Sequence, residues 1–344
     1  MTAPGSTTKV EGEAAAFAAR DARILRAFFR GEGLTLENPA YLDAAFQIID
    51  ALLREDLASG DLTASALGIG SERVSAQILA REDGVIAGLA EALALYRKHH
   101  VAVTAEKRDG DSIGAGDVVV RVEGSQATLL GLERTALNLL QRMSGIATAA
   151  RRLQGRVRRA GSRTRIVGTR KTPWGLLDKR ALHVGGAGTH RLGLGDAILI
   201  KNNHLALLAR SEEEAAPKAI ERAWAQRGQS AFIEVEVRSE AAARAAAQAF
   251  QRLQKTSAED YPCVLMLDNM APREMGRVIS TLHREGLWDS ILVEASGGIS
   301  ESNVEEYAAC GADVISIGAL THSVRALDLS QRMNDAARMP AEAS

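Results

Sequence analysis

An incomplete α/β barrel of about six or seven strands, preceded by an α+β sandwich domain, is the fold this sequence predicts. Three observations lead there. From Arg165 onward, six short apolar runs of strand character alternate with segments of helical composition, the pattern of a parallel sheet with helical crossovers. Polar or charged residues sit at or beside the ends of those runs. Ahead of Leu132 the chain has a different make-up, with two β-rich stretches around a helix. A chain of 344 residues is long enough for both parts.

In order, the opening residues are rich in Ala, Glu and Arg and carry no turn signal between Glu11 and Arg30. This predicts a helix behind a loose tail, with no expected functional role. From Pro39 to Leu53 apolar residues recur at helical spacing, and REDLASGDLT (Arg54 to Thr63) reads as a polar turn. Strands are expected at Val74 to Ala80 and, after the loop DGDSIGAGD, at Asp117 to Glu123, with a helix from Ala87 to His99 between them. Starting near Leu132, ERTALNLLQRMSGIATAARRLQGRV reads as one long helix or a closely coupled pair. The six runs are Arg165 to Gly168, Ala197 to Ile200, Phe232 to Val237, Cys263 to Leu267, Ile291 to Glu294 and Val314 to Ile317, and a seventh has no clear place. The expected division is an extension (1–38), the sandwich domain (39–145), the barrel (146–322) and a C-terminal helix and tail (323–344).

What sits at the strand ends favours a barrel over an open nucleotide-binding sheet. Thr169-Arg170-Lys171, Lys201, Glu234 and Glu236, Asp268-Asn269, Ser296-Gly297-Gly298 and Gly318 occupy these positions in turn, where barrel enzymes build their sites. No G-x-G-x-x-G follows the first run, so a dinucleotide-binding unit is not supported. Forty-two basic against 43 acidic residues give a net charge of −1, which points to neither nucleic acid nor an anionic membrane. Cys263 and Cys310 match no metal or redox spacing, and neither a signal peptide nor a spanning apolar stretch is evident. A cytoplasmic protein is expected.

Arg170, Lys171, Arg191 and Lys201, with His190 beside Arg191, concentrate positive charge in one segment. Guanidinium forks pair carboxylates and phosphates, so such a cluster suits a polyanionic substrate. A solvated basic surface is the plain alternative, but Lys201 ends an apolar strand abruptly, unlike the arginines between Arg151 and Arg159 on a polar helix. Glu234 and Glu236 alternate with Val235 and Val237 and so face the same side of their strand. With Asp268 they are acids suited to ribose hydroxyls or hydrated Mg2+, and spacing alone leaves open which of the two glutamates is structural. Ser296-Gly297-Gly298 and Gly318-Ala319 lead into helices and fit phosphate binding. A lone histidine is more often structural than catalytic, but His322, one turn on, is placed where it could reach such a phosphate.

The runs ERTALNLLQRMSGIAT, TRKT, GTHRLGLGDAILIKNNH, EVEV, MLDNM, EASGGI and DVISIGALTHS, with REDLASGDLT and AREDGVIAG, resemble in order those of the quinolinate phosphoribosyltransferases. The likeness runs from about Arg54 to Leu329. It implies transfer of phosphoribose from phosphoribosyl pyrophosphate to quinolinate with loss of CO2, Mg2+ as cofactor, and a homodimer, or a higher oligomer, with shared active sites. By motif, Arg134 reaches the partner subunit's site. Thr169, Arg170, Lys171, His190, Arg191 and Lys201 hold the quinolinate carboxylates and the pyrophosphate. Glu234 and Asp268 face the ribose and, through water, the metal; Lys171, Glu234 and Asp268 are the expected catalytic residues. Ser296, Gly297, Gly298, Ile317, Gly318, Ala319 and His322 complete the substrate-binding set. This chain departs from the family pattern at Gly168, at Pro173-Trp174 with a loop about two residues shorter, and at Thr189.

The chemistry so implied is attack of the pyridine nitrogen on the anomeric carbon, after which the quaternised ring accepts the electrons released on decarboxylation. No covalent nucleophile is needed. Rival readings are a related fold acting on another ring, as in the molybdenum-transport-associated branch, a Schiff-base aldolase using Lys171 or Lys201, and a non-catalytic binding protein.

Overall fold

The computed structural model describes residues 5–257 and 259–334. Its first half comprises α1 (Gly5–Phe28), α2 (Pro39–Asp56), α3 (Leu62–Ala66), β1 (Arg73–Ala80), β2 (Gly84–Val85), α4 (Leu89–Lys98), β3 (Ala102–Ala105), β4 (Ser112–Ile113), β5 (Val118–Ser125) and α5 (Gln126–Arg159). There follow β6 (Arg165–Val167), α6 (Leu176–Val184), β7 (Ile198–Ile200), α7 (Asn202–Ala206), α8 (Glu212–Ala225), β8 (Ile233–Val237), α9 (Glu240–Lys255), β9 (Cys263–Asp268) and α10 (Pro272–Arg284). After a 3₁₀ turn at Trp288–Ser290 come β10 (Leu292–Ser296), α11 (Val304–Ala308), β11 (Val314–Ser316), α12 (Ala319–His322) and β12 (Leu329–Met333).

Two compact units share these elements without following the chain linearly. One takes residues 1–30, 153–171 and 187–319, the other 31–152, 172–186 and 320–344. Residues 5–30 of the expected extension (1–38) thus group with the barrel strands, and residues 172–186 group with the sandwich.

In the sandwich unit an antiparallel sheet has the order β12-β1-β5-β3. α2 starts as its sequence dictates: the Asn38 side chain accepts from the Ala40 N–H, Pro39 fills the first turn, and Tyr41, Ala45, Ile49 and Leu53 bury one stripe. The polar turn expected at Arg54 to Thr63 is shorter than read, because α2 runs to Asp56 and Asp61 caps α3. A correction applies at the C-terminus. The helix expected beyond 322 is instead β12, paired antiparallel with β1 from Ala76↔Met333 to Ala80↔Leu329; ladder bonds and burial of Leu329 outweigh the local helical composition. The rest of that expected segment, 335–344, lies outside the described residues.

α5 is one continuous helix of 34 residues, the first of the two alternatives read from sequence. Its buried stripe includes Leu129, Leu132, Ala136, Leu139, Leu140, Met143, Ala147 and Ala150, the three-and-four spacing of an amphipathic helix.

The barrel unit carries six parallel strands in the order β6-β11-β10-β9-β8-β7, each within a residue or two of its predicted run. β6 and β7 are edges of this sheet. The elusive seventh element is a single bridge: Gly188 pairs parallel with Val167, its N–H donating to Ile166 O and its carbonyl accepting from the Gly168 N–H, both at 2.9 Å.

Side-chain alternation on β8 to β11 sorts the interior into levels. Lowest are Phe232, Val264, Leu292 and Val314, which form one apolar cluster with Ile24, Ala27 and Phe28 of α1. Two residues further along each chain stand Glu234, Met266, Glu294 and Ser316, all buried. Another two residues reach Glu236, Asp268, Ser296 and Gly318, at the carboxyl ends of the strands.

Candidate active site

The uppermost level gathers the charged residues expected at the site. Burial, and then the neighbouring Asp268, raises the pKa of Glu236, and burial raises that of Asp268. Lys201 counters that shift at Glu236, and Arg238, Lys171 and Lys201 counter it at Asp268. Arg191 is 7 % exposed, and its guanidinium Nη1 donates to Ala197 O at 3.4 Å. Burial, then the like charge of Arg170, lowers its pKa. Thr169 Oγ1 accepts the Lys171 N–H at 3.1 Å, which sets the turn between Arg170 and Lys171. Four cations and two carboxylates therefore meet at the strand ends β6, β7, β8 and β9, with Arg191 delivered by the loop before β7.

Two expected roles need correction. Glu234, read as ribose-facing and metal-binding, is fully buried one level down; Glu236 holds the position beside Asp268 and Lys201. His190, read as a substrate contact, points inward. Its Nε2 lies 3.1 Å from Glu294 Oε2 and 3.3 Å from Glu234 Oε2, while Nδ1 accepts the Arg191 N–H at 2.8 Å. The carboxylates favour a charged imidazole against the opposing effect of burial. A proton on Nδ1 would, however, face the Arg191 N–H head-on, so we place the ring's proton on Nε2.

Two carboxylates in a dry interior cannot both ionise readily. Burial and the adjacent Glu294 push Glu234 up to about 8. Burial opposes the charge of Glu294 as well, but His190 and Ser316 hold it below the usual range. The second proton of the cluster therefore sits on Glu234. His190, Glu234 and Glu294 are also the one group of metal-ligating type found among the described residues, with the His190 Nε2 between the two carboxylates.

The glycine loop after β10 is shaped by close packing. Gly297 has φ +93°, and a Cβ there would stand 2.7 Å from Asn269 N; the Asn269 N–H itself donates to Ser296 O at 2.9 Å. Gly298 is exposed with φ +64° and open space where a Cβ would point, and its carbonyl accepts from Asn303 Nδ2. After β11, buried Ile317 donates its N–H to Val167 O at 3.0 Å, and Gly318 and Ala319 are half-buried.

Two expected residues, Arg134 and His322, and the departure at Trp174 belong to the other unit. Arg134 is exposed on α5, and His322 is exposed with Nδ1 2.7 Å from Ser323 Oγ. Trp174 lies under the Arg142 guanidinium, 5.1 Å from the ring centroid. Arg142 pairs with the fully buried Asp178 at 2.8 and 2.7 Å, and the Thr172 hydroxyl also donates to Asp178.

Sequence reasoning missed Glu294, Ser316 and Phe28. The signal for Glu294 was present: it stands two residues before Ser296, so alternation puts it on the same face as a residue already assigned to the site.

The chain matches the quinolinate phosphoribosyl transferase C-terminal domain over residues 146–332 and the N-terminal domain of the same enzymes over 61–144. Residues 1–60 lie outside both. It is 39% identical over 285 residues to a probable nicotinate-nucleotide pyrophosphorylase [carboxylating] of Methanothermobacter thermautotrophicus, covering 82% of this chain and 96% of the relative. Identity is 36% over 300 residues to the nicotinate-nucleotide pyrophosphorylase [carboxylating] of Mycobacterium leprae, covering 83% and 96%. Among solved structures, the nicotinate-nucleotide pyrophosphorylase of Francisella tularensis superposes with a TM-score of 0.72 at 27% identity, covering 85% of this chain and 96% of that one. That of Ehrlichia chaffeensis gives 0.69 at 30% identity, covering 84% and 98%. With both domains matched in order and the motif residues assembled at the strand ends, the chain belongs to the quinolinate phosphoribosyltransferase family.

Proposed function

We propose that the protein joins quinolinate to phosphoribosyl pyrophosphate and releases pyrophosphate and CO2, forming nicotinate mononucleotide for NAD biosynthesis. The observation that carries this reading is the meeting of Arg170, Lys171, Arg191 and Lys201 with Glu236 and Asp268 at the carboxyl ends of the barrel strands. The cations match two polyanionic partners, a pyridine dicarboxylate and a pyrophosphate, and the two acids match the neutral ribose between them.

The pyridine nitrogen forms a bond to the anomeric carbon as the carbon–oxygen bond to pyrophosphate breaks, so positive charge develops at the sugar and negative charge at the leaving group. Glu236 and Asp268 face the first, and Lys171 and Lys201 the second. The ring is then quaternary; the adjacent carboxylate leaves as CO2, and the electron pair left on the ring carbon takes up a proton. Arg170 and Arg191 orient the dicarboxylate, which supplies much of the acceleration by fixing the attack geometry.

Glu236, 9 % exposed, and half-buried Asp268 are oxygen donors at the carboxyl ends of the strands, which fits a hydrated Mg2+ that keeps waters and substrate oxygens as ligands; Glu234, fully buried with His190, does not fit it. When bound there, Mg2+ supplies charge neutralisation for the departing pyrophosphate. Exposed Arg134 on α5 is offered to the neighbouring subunit of a homodimer, whose mass in solution tests the assembly. Among the described residues no helix is long and apolar enough to cross a membrane, and free thiols at Cys263 and Cys310 suit the cytoplasm.

The test is incubation with Mg2+, phosphoribosyl pyrophosphate and either quinolinate or nicotinate, following mononucleotide and CO2. Mononucleotide with equimolar CO2 from quinolinate is expected; turnover of nicotinate alone, or of neither, overturns the assignment.

A further inference from the structure

Arg191 stands on a loop between β6 and β7, the two edges of the six-stranded sheet, which ties the loop's start through the Gly188 bridge to Val167 and the inward His190 side chain through Glu234 and Glu294. The remaining hold on it comes from α1 and the two residues that follow, outside both matched family domains. The last residues of α1 and the two that follow it touch this loop at both ends.

At the near end, the His190 N–H donates to Phe28 O at 3.0 Å. Thr189 Oγ1 lies 3.2 Å from Phe28 O and accepts the Arg30 N–H at 3.2 Å. At the far end the Arg30 guanidinium grips Asp196, with Nε and Nη2 each 3.0 Å from Oδ1, while Asp196 Oδ2 accepts the Leu192 N–H at 2.8 Å. Between these ends, the Phe28 ring meets the His190 imidazole edge-on at 5.3 Å, and Phe232, packed against Phe28, meets it at 5.5 Å. Phe28 is fully buried.

His190 therefore sits in a seat with an aromatic floor and an acidic wall. Its backbone is held at φ +56°, a left-handed conformation that an unrestrained histidine avoids. Its ring in turn accepts the Arg191 N–H, so the direction in which Arg191 leaves the backbone is set by the seat.

We propose that α1 is a staple across the open side of the barrel, and that Phe28 and Arg30 are positioning residues which, through His190, aim Arg191 at the substrate carboxylate. This rests on the reading of Arg191 given under the proposed function. Without the staple, loop 189–196 samples more conformations, and the bound geometry of Arg191 must be ordered at the expense of binding energy. The effect belongs to the dicarboxylate rather than to the pyrophosphate donor, whose cationic partners Lys171 and Lys201 lie directly at strand ends.

The test uses full-length Arg30→Gln, Arg30→Lys and Phe28→Leu, assayed well below their melting temperatures. Arg30→Gln and Phe28→Leu should raise KM for quinolinate fivefold or more while kcat and KM for phosphoribosyl pyrophosphate stay within twofold, and Arg30→Lys should restore much of the loss. Hydrogen exchange read by mass spectrometry should quicken in peptides covering 187–196 before the rest of the barrel. Unchanged KM for quinolinate in active variants, or full protection of 187–196, overturns the proposal; so does a lower melting temperature with all kinetic constants intact, which would make α1 a structural brace only. A wild-type protein that does not turn over quinolinate refutes the assigned reaction, and the exchange measurement still decides whether α1 holds the loop.

Discussion

Replacing Glu234 with glutamine tests the protonation of the barrel interior. If Glu234 is a neutral acid donating to Glu294 and accepting from His190 Nε2, an amide reproduces both roles, and Glu234→Gln should fold like the wild type at pH 5. Its pH dependence should differ. With the carboxyl pushed up to about 8 by burial and Glu294, the folded protein keeps a proton that the unfolded chain loses near its ordinary value of about 4.5. Between those values the unfolded state binds fewer protons, so wild-type stability falls as pH rises and levels off above the folded value. Each pH unit corresponds to about 1.4 kcal/mol, so the window spans at most ~5 kcal/mol. Glutamine does not titrate, and the variant should lose less stability over this window, ending more stable than the wild type at pH 8.5. By contrast, Glu294→Gln replaces one of the two acceptor oxygens with an NH2 and removes the negative charge that His190 faces, and should cost about 3 kcal/mol. Denaturant unfolding at pH 5, 6, 7 and 8.5 reads both. Parallel profiles for wild type and Glu234→Gln, or a Glu234→Gln variant less stable than Glu294→Gln at pH 5, would refute the protonation argument.

Lys171→Ala and Arg191→Ala should each reduce kcat/KM at least a hundredfold, about 3 kcal/mol of lost transition-state binding; near-normal steady-state activity in both would remove these residues from the site. Asp268→Asn should lower turnover and raise the Mg2+ concentration for half-maximal rate in a metal titration, whereas an unaltered Mg2+ dependence would separate the metal from this carboxylate. Gly297→Ala places a Cβ against the Asn269 backbone at a positive φ and should lower stability by about 2 kcal/mol or more. It should also raise KM for phosphoribosyl pyrophosphate, so an unshifted melting curve with unchanged KM would mean that the loop is not shaped by this contact. Arg142→Ala strands the buried Asp178 with Thr172 and is expected to cost about 3 kcal/mol in thermal unfolding.

The strands of the barrel were legible because each is a short apolar run that ends in a charge or a glycine, as at Ile200-Lys201 and Leu267-Asp268. The site was legible for the same reason, since the carboxyl ends of parallel strands converge. The level a residue occupies within the barrel was less so. Alternation puts Glu234 and Glu236 on one face, but the two differ only by how far each lies from the strand end, a quantity set by the stagger of neighbouring strands. His190 looked like one more cation in a cationic segment; its inward turn depends on a backbone conformation and on Glu294, 104 residues away. The part played by Phe28 and Arg30 was hidden because Ala-rich helical composition says nothing about which face finds a partner. β12 was hidden too, because strand character in Leu329 to Met333 emerges only when β1 is there to pair with it.

That last pairing bears on how the chain is made. The partner of β1 lies some 250 residues downstream, so a chain emerging from the ribosome presents its amino-terminal sheet with one edge bare until synthesis is nearly finished. Closure of so distant a contact is slow, and an uncovered edge strand is a template for association with other chains. The sandwich unit thus matures last although most of its sequence is translated first, and shortening the protein ahead of Leu329 should leave an amino-terminal sheet prone to aggregate rather than a smaller stable enzyme.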